Sequence, residues 1–218
     1  MGGEQLVRSA ERVRDLGEVF TPAATVEAML DLLPATMWAV HPAPTFLEPA
    51  CGDGNFLVAI LARKLAAVDA LHASPAAAAF AGFEAVSSIY AVDISPDNIH
   101  GTPAHGPGAR ARLQAVFADW LAGLTPGLAP SPNALALAAW LIAHNVLVAD
   151  MLDPARRDLP LHEYAWHPAD RSVTVTRTTF GTVLDDADEN AQRSLFDPGP
   201  EVVYNGPALG LPKALAVT

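Results

Sequence analysis

The chain has 218 residues, 51% of them hydrophobic, which suffices to bury one sizeable core and excludes a disordered protein. A single cysteine excludes an intramolecular disulfide framework and any multi-cysteine zinc site, so no metal is expected and a reducing cytoplasm is. A formal net charge of −11 argues against a self-sufficient DNA binder, which needs a basic face to meet phosphates; any DNA contact is expected to run through a partner.

Residues 4–15 read as a polar helix with a narrow apolar stripe, stopped by Gly17. Arg8, Arg12 and Arg14 alternate with Glu4, Glu11 and Asp15, so no apolar leader core is present. No run approaches the roughly 20 apolar residues of a membrane span, and no membrane association is expected. Thr21 suits a helix N-cap and Pro22 a first helical residue, with Val26, Met29, Leu30 and Leu33 as the buried face. The proline-spaced stretch from Pro34 to Pro44 predicts a connecting loop.

Thr45 to Leu57 predicts a short buried strand, a glycine turn and a helix whose apolar positions recur through Phe56, Leu57, Ile60 and Leu61. A ligand is expected at this turn, because open α/β sheets bind ligands at the carboxyl ends of their strands and glycine permits close approach. A dinucleotide fingerprint would place a third glycine where Leu57 stands, and Glu48 and Asp53 would face a pyrophosphate with negative charge. A cation fits better. S-adenosylmethionine carries an ammonium and a sulfonium and no phosphate, which carboxylates beside a glycine turn suit.

The helix after the turn runs to about Leu71, and the alanine-rich stretch from Ser74 to Ala85 predicts another. Ile89 to Ile94 reads as a second parallel strand ending in Asp93, with Ser95 placed to cap the following helix. Asp93 stands where nucleoside-binding α/β folds put an acid against ribose hydroxyls. Gly101 to Gly108 predicts a mobile loop, and His100 and His105 lack the neighbours that would complete a metal site. Helices follow at about Ala109 to Leu124 and Asn133 to His144, with Arg110 and Arg112 read as part of a solvated face. Asn145 to Leu152 predicts a buried strand ending in Asp150, Met151 and Leu152. Arg171 to Phe180 predicts one more strand, and the acidic, proline-rich residues from Asp185 a loosely packed tail. The expected organisation is an α/β domain over residues 1–184 and a tail over 185–218.

The nonapeptide Glu48-Pro49-Ala50-Cys51-Gly52-Asp53-Gly54-Asn55-Phe56 closely resembles the cofactor motif of DNA adenine-N6 methyltransferases of restriction–modification systems. The resemblance covers roughly residues 11–153. It implies a three-layer Rossmann-like methyltransferase fold with a mostly parallel sheet, truncation being left open, and S-adenosylmethionine as cofactor. It further implies that Phe20 packs beside the cofactor and that Thr21 holds its carboxylate. On the same resemblance Asp93 binds the ribose, Ile94 flanks the adenine, Asp150 accepts the adenine amino group and Met151 lies against the ring.

Such an enzyme should next show Asn-Pro-Pro-Tyr or a close variant, which grips the amine of a flipped base. This chain lacks it. The nearest strings, around Phe196-Asp197-Pro198 and Tyr164-Ala165-Trp166, have the wrong order, so no catalytic residue is assigned. A divergent loop between Asp153 and Phe180, with Tyr164 or Trp166 stacking on the base, is the remaining internal route to catalysis. Two expectations of different class follow. One is a DNA adenine-N6 methyltransferase or methylase subunit, restriction–modification or phage-related, that needs a partner for catalysis. The other is a non-catalytic cofactor-binding module in a defence or phage-encoded complex. A methyltransferase acting on RNA, protein or a small molecule is a third.

Overall fold

The computed structural model describes residues 21–187 and 200–215. Phe20, the helix expected over residues 4–15 and the string at Phe196 lie outside the described residues.

A helix, α1 (Ala23–Leu30), leads to a short strand, β1 (Phe46–Glu48), followed by the glycine turn and α2 (Asn55–Leu71). Next come α3 (Pro75–Ser87), β2 (Ile89–Asp93) and the short α4 (Pro96–His100). A small hairpin of β3 (Gly101–Thr102) and β4 (Gly106–Pro107) precedes α5 (Ala109–Leu124), α6 (Pro132–Asn145) and β5 (Val146–Val148). The three strands predicted near Phe46, Tyr90 and Leu147 form one parallel sheet in the order β1-β2-β5, with Glu48 opposite Ala91 and Asp93 opposite Val148. Parallel pairing requires long crossovers, and the helices between the strands supply them. β2 is nearly continuous in apolar residues and almost wholly buried, as a central parallel strand should be.

On one face of this sheet Phe46, Ile89, Ala91 and Val146 join the main core with the helices. α2 contributes Leu57, Leu61 and Leu65, spaced at about one helical turn and each at most 2% exposed, while Val68 further along it packs in a smaller cluster with Ala78 and Ala81. Aromatic rings fill the centre, with Phe83 and Phe117 at 5.5 Å between centroids and Phe80 and Trp166 edge to face at 5.3 Å. Arg63 ties α2 to α1 through Glu27 and Asp31. Lys64, only 2% exposed, lays its ammonium over the Phe46 ring and donates to the Pro44 carbonyl at 2.7 Å. Burial pushes that ammonium down to a pKa of about 8, although Glu84 nearby favours its charge.

The other face departs from expectation. Leu47, Tyr90, Val92 and Leu147 look into a groove whose far wall is β6 (Pro160–His167) and α7 (Phe180–Ala187). The second layer is therefore not a set of crossover helices. β6 pairs antiparallel with β7 (Ser172–Thr179), and β7 with β8 (Glu201–Pro207), so the described strands taken together are not mostly parallel. The short link between β6 and β7 dictates this, since tight turns join only antiparallel neighbours. The hairpin in place of a mobile loop at Gly101 to Gly108 has its own cause: Gly101 at φ 77° and Gly106 at φ 83° let the two backbones close together.

The expected loose tail also differs over residues 200–215. β8 completes the antiparallel sheet, and α8 (Leu211–Ala214) follows with Leu211 fully buried in the main core and Ala208 3% exposed. Prolines and glycines in this stretch mark a strand end and turns rather than disorder. Leu211→Ala is expected to cost about 2–4 kcal/mol in denaturant-induced unfolding, the scale for truncating a fully buried leucine. A change below about 0.5 kcal/mol would show that this segment does not belong to the core.

Candidate functional site

The glycine turn begins where β1 ends. The Cys51 amide donates to the Val92 carbonyl at 3.0 Å, which continues the β1–β2 pairing, and the Gly54 amide closes the turn on the Cys51 carbonyl at 2.9 Å. Gly52 at φ 54° and Gly54 at φ 94° take left-handed conformations that favour glycine. Gly54 has a second constraint, because a Cβ there would lie 3.0 Å from the Ala109 Cβ at the start of α5.

Asp93 is the centre of the arrangement. Its carboxylate, 7% exposed, accepts the Gly52 amide on Oδ2 at 2.8 Å. On Oδ1 it accepts the Ser95 amide at 2.8 Å and the Asn98 side-chain amide at 3.0 Å. Its backbone carbonyl accepts the Ala149 amide at 3.0 Å, which brings the residue before Asp150 to the same sheet edge. The turn after β2 is thus fastened by Asp93 itself, not by a Ser95 side-chain cap as expected.

Thr21 also reaches this edge. Its carbonyl accepts the Asn55 side-chain amide at 3.0 Å, a contact between residues 34 apart in sequence. The helix it was expected to cap starts later: Pro22 is the N-cap, and its carbonyl receives the Thr25 and Val26 amides. Phe20, expected beside the cofactor, is outside the described residues.

Glu48 is half-buried and accepts the Ala50 amide; burial raises its pKa above the usual carboxylate range, and that hydrogen bond opposes the rise. Pro49 and Ala50 are exposed at the turn, and Phe56 is half-buried against the core. Cys51 is 8% exposed, and its thiol is pushed up by burial first and then by the charges of Asp93, Glu48 and Asp53. Three carboxylates therefore surround one point of the chain.

Asp53 was expected to act as a bare charge facing a cation. Arg112 changes that. Its Nη1 donates to the Asp53 carboxylate at 2.7 Å and to the Asp53 carbonyl at 2.8 Å, while Nη2 donates to the Asn55 side-chain oxygen at 2.8 Å. Arg110 is equally committed, donating to the Val146 and Ala143 carbonyls at 2.8 Å and so closing the C-terminus of α6. The reading of both arginines as a solvated face is corrected. A signal for them existed: basic residues in the first turn of a helix oppose its dipole and need a stronger partner elsewhere.

Asp150 is exposed, and its Oδ1 accepts the Leu152 amide at 2.8 Å in a local turn. Ile94 is 53% exposed at the strand end. Met151 turns away to line the groove beneath the sheet. The structure thus gathers Thr21, the turn from Glu48 to Asn55 and Asp93 by direct contacts, and Asp150 by one chain link. Tyr164 and Trp166 serve the core instead of a base. Trp166 is 6% exposed and donates Nε1–H to the Ser87 hydroxyl at 2.9 Å, and the Tyr164 hydroxyl donates to Asn145 at 2.9 Å.

Among the described residues no group of three or more His, Cys, Asp or Glu side chains could hold a metal ion, and no helix is long and apolar enough to cross a membrane. Comparison with protein-family models, with curated protein sequences and with solved structures gives no match.

Two outcomes test this electrostatic layout. Arg112→Met should lower unfolding stability by about 1–2 kcal/mol, since charge-assisted hydrogen bonds are lost at a partly exposed pair. An unchanged denaturation midpoint would show that the turn does not depend on it. Glu48 gives a pH signature. Its raised pKa means that its contribution to stability is complete below the unfolded value of about 4.3 and is lost as pH rises through the folded value. Glu48→Gln should therefore be more stable than the natural chain at pH 7, with the difference closing toward pH 4. Denaturant titrations at the two pH values measure it, and a less stable variant at pH 7 contradicts the assignment.

Proposed function

We propose that this chain binds S-adenosylmethionine at the glycine turn and belongs to a DNA adenine-N6 methylating system in which a partner completes catalysis. The observation that carries the reading is the Gly52 amide on the Asp93 carboxylate. It brings the turn of the resembling nonapeptide and the acid of the second strand together at the carboxyl edge of a parallel sheet. Ligands bind at such edges.

The residues present fit the chemistry of that cofactor. S-adenosylmethionine supplies a methyl group made electrophilic by a sulfonium. Glu48, unpaired with any basic side chain among the described residues, offers negative charge to the ammonium or sulfonium. Asp93 keeps acceptor capacity for a hydroxyl, because three protein donors occupy a carboxylate that offers roughly four acceptor positions. Asp53 contributes less charge than the sequence suggests, since Arg112 neutralises it. Asp150, exposed at the neighbouring strand end, is the acceptor proposed for an exocyclic amine.

Positioning the target amine is a separate requirement, because rate comes from fixing reactants in an attack geometry. No described residue is assigned to that task. The commitment of Tyr164 and Trp166 to the core favours, as the second reading, a cofactor-binding module without activity of its own. Net charge of −11 agrees with DNA being held by the partner.

Isothermal titration should show S-adenosylmethionine binding to the isolated chain. Glu48→Gln should weaken it about tenfold, equivalent to ~1.4 kcal/mol. Incubation with radiolabelled cofactor and mixed-sequence DNA should label no adenine with the chain alone, and should label it when the partner is added. Absence of cofactor binding would overturn the proposal. Binding without label under any combination of neighbouring gene products would select the non-catalytic module.

A further inference from the structure

Beneath the parallel sheet, away from the glycine turn, two cavities of about 340 Å³ and about 280 Å³ adjoin one another and share Thr45, Tyr90 and Glu163 as lining. The larger is apolar, walled by Leu47, Val92, Leu147, Met151 and Phe180. The smaller is polar, with Glu84 and Ser87 in its wall. Together they form one groove, apolar at one end and acidic at the other. Leu47, on β1, is 48% exposed along it, and among the described residues β1 pairs with β2 alone, so one edge of β1 has no strand beside it.

The charges of the groove are one-sided. Among the described residues no lysine or arginine lines either cavity. Glu84 is already satisfied by His41 and the Ala43 amide, with Lys64 close by. Glu163 is different: it is exposed on β6, it has no basic partner among the described residues, and it lies near enough to Tyr90 to add to the effect of burial on that hydroxyl. His162 brings no compensating charge near neutrality, because burial, with His144 and Arg177 beside it, pushes its imidazole down to about 4. Filling the apolar part removes exposed hydrophobic surface from water, and a cation at the junction meets the uncompensated carboxylate.

We infer that this groove docks an extended segment of a partner protein, with apolar side chains against Leu47, Val92 and Leu147 and a following lysine or arginine on Glu163. In an extended segment alternate side chains point to one side, so every second residue of the partner meets this face. The inference does not rest on cofactor binding, since the groove lies on a sheet face and, among the described residues, shares only Met151 with the proposed cofactor contacts.

The test uses the full chain and a fluorescein-labelled peptide of alternating valine and serine that ends in two lysines. A second peptide carries two glutamates in their place. Fluorescence anisotropy should show the lysine peptide binding about tenfold or more tightly than the glutamate peptide, with the preference weakened by salt. Glu163→Lys, at an exposed position, should reverse the preference, and Leu47→Asp should weaken both peptides, with circular dichroism confirming that each variant folds. Saturating S-adenosylmethionine should leave these affinities unchanged, which separates this result from failure of the cofactor site. No binding by the full chain, or equal affinity for both peptides, overturns the inference. So do displacement of the peptide by equimolar n-octylammonium, which assigns the groove to a small amphiphile, and a concentration-dependent dimer abolished by Leu47→Asp, which assigns it to a second copy.

Discussion

Everything at the carboxyl edge of the parallel sheet hangs on one buried carboxylate. Asp93 is 7% exposed, and a buried charge is tolerable only when hydrogen bonds replace its water. Its donors come from the glycine turn after β1 and from the turn and helix after β2, and its own carbonyl receives the backbone just beyond β5. Three separate stretches of chain are thus oriented by one residue. The strands are only three to five residues long, so ladder hydrogen bonds alone would fix their ends weakly. A group that does this much structural work and still offers an acceptor direction is suited to sensing a ligand, because a hydroxyl arriving there meets an atom whose position is already set.

The same economy shapes the charge around it. Glu48, Asp53 and Asp93 converge near Cys51, and like charges at such separations oppose folding. Arg112 relieves one of the three by reaching across from α5, and hydrogen bonds absorb another at Asp93. The third, Glu48, keeps a raised pKa, the mark of a group whose charge the fold does not satisfy. Beneath the sheet Glu163 is a second acidic side chain, exposed on β6. Burial makes the Glu48 charge costly to the chain, whereas Glu163 keeps its water and simply lacks a basic partner among the described residues.

What the sequence shows and what it hides divide along the range of the interactions. The turn from Glu48 to Asn55, the helix to Leu71, and the strands at Phe46, Tyr90 and Leu147 are legible because glycine placement, apolar periodicity and strand length act locally. β7 is legible from Val173 and Val175, both fully buried on one face. β6 is not, because Pro160, His162 and Glu163 dilute its alternation, and only pairing with β7 and packing of Trp166 on Phe80 make it a strand. β8 hides behind the acidic, proline-rich run before it, and its partner strand lies about 30 residues upstream. Arg112 is half legible: its place in the first turn of α5 calls for a partner, but Asp53 is 59 residues away and no local pattern names it.

The chain's one cysteine acquires a distinct character from this setting. Cys51 lies under the turn, 8% exposed, in a ring of carboxylates that opposes loss of its proton. A thiolate is the form that attacks alkylating reagents and peroxides, so a thiol held protonated and covered is chemically silent in the native fold. Silence of this kind is conditional on geometry. Any motion that lifts the turn from β2, separating the Cys51 amide from the Val92 carbonyl, would expose the sulfur and part it from Asp93, the first of the charges that hold its proton. The residue at the heart of the turn is therefore a natural clock for its opening, and its rate of modification counts how often that edge of the sheet comes apart.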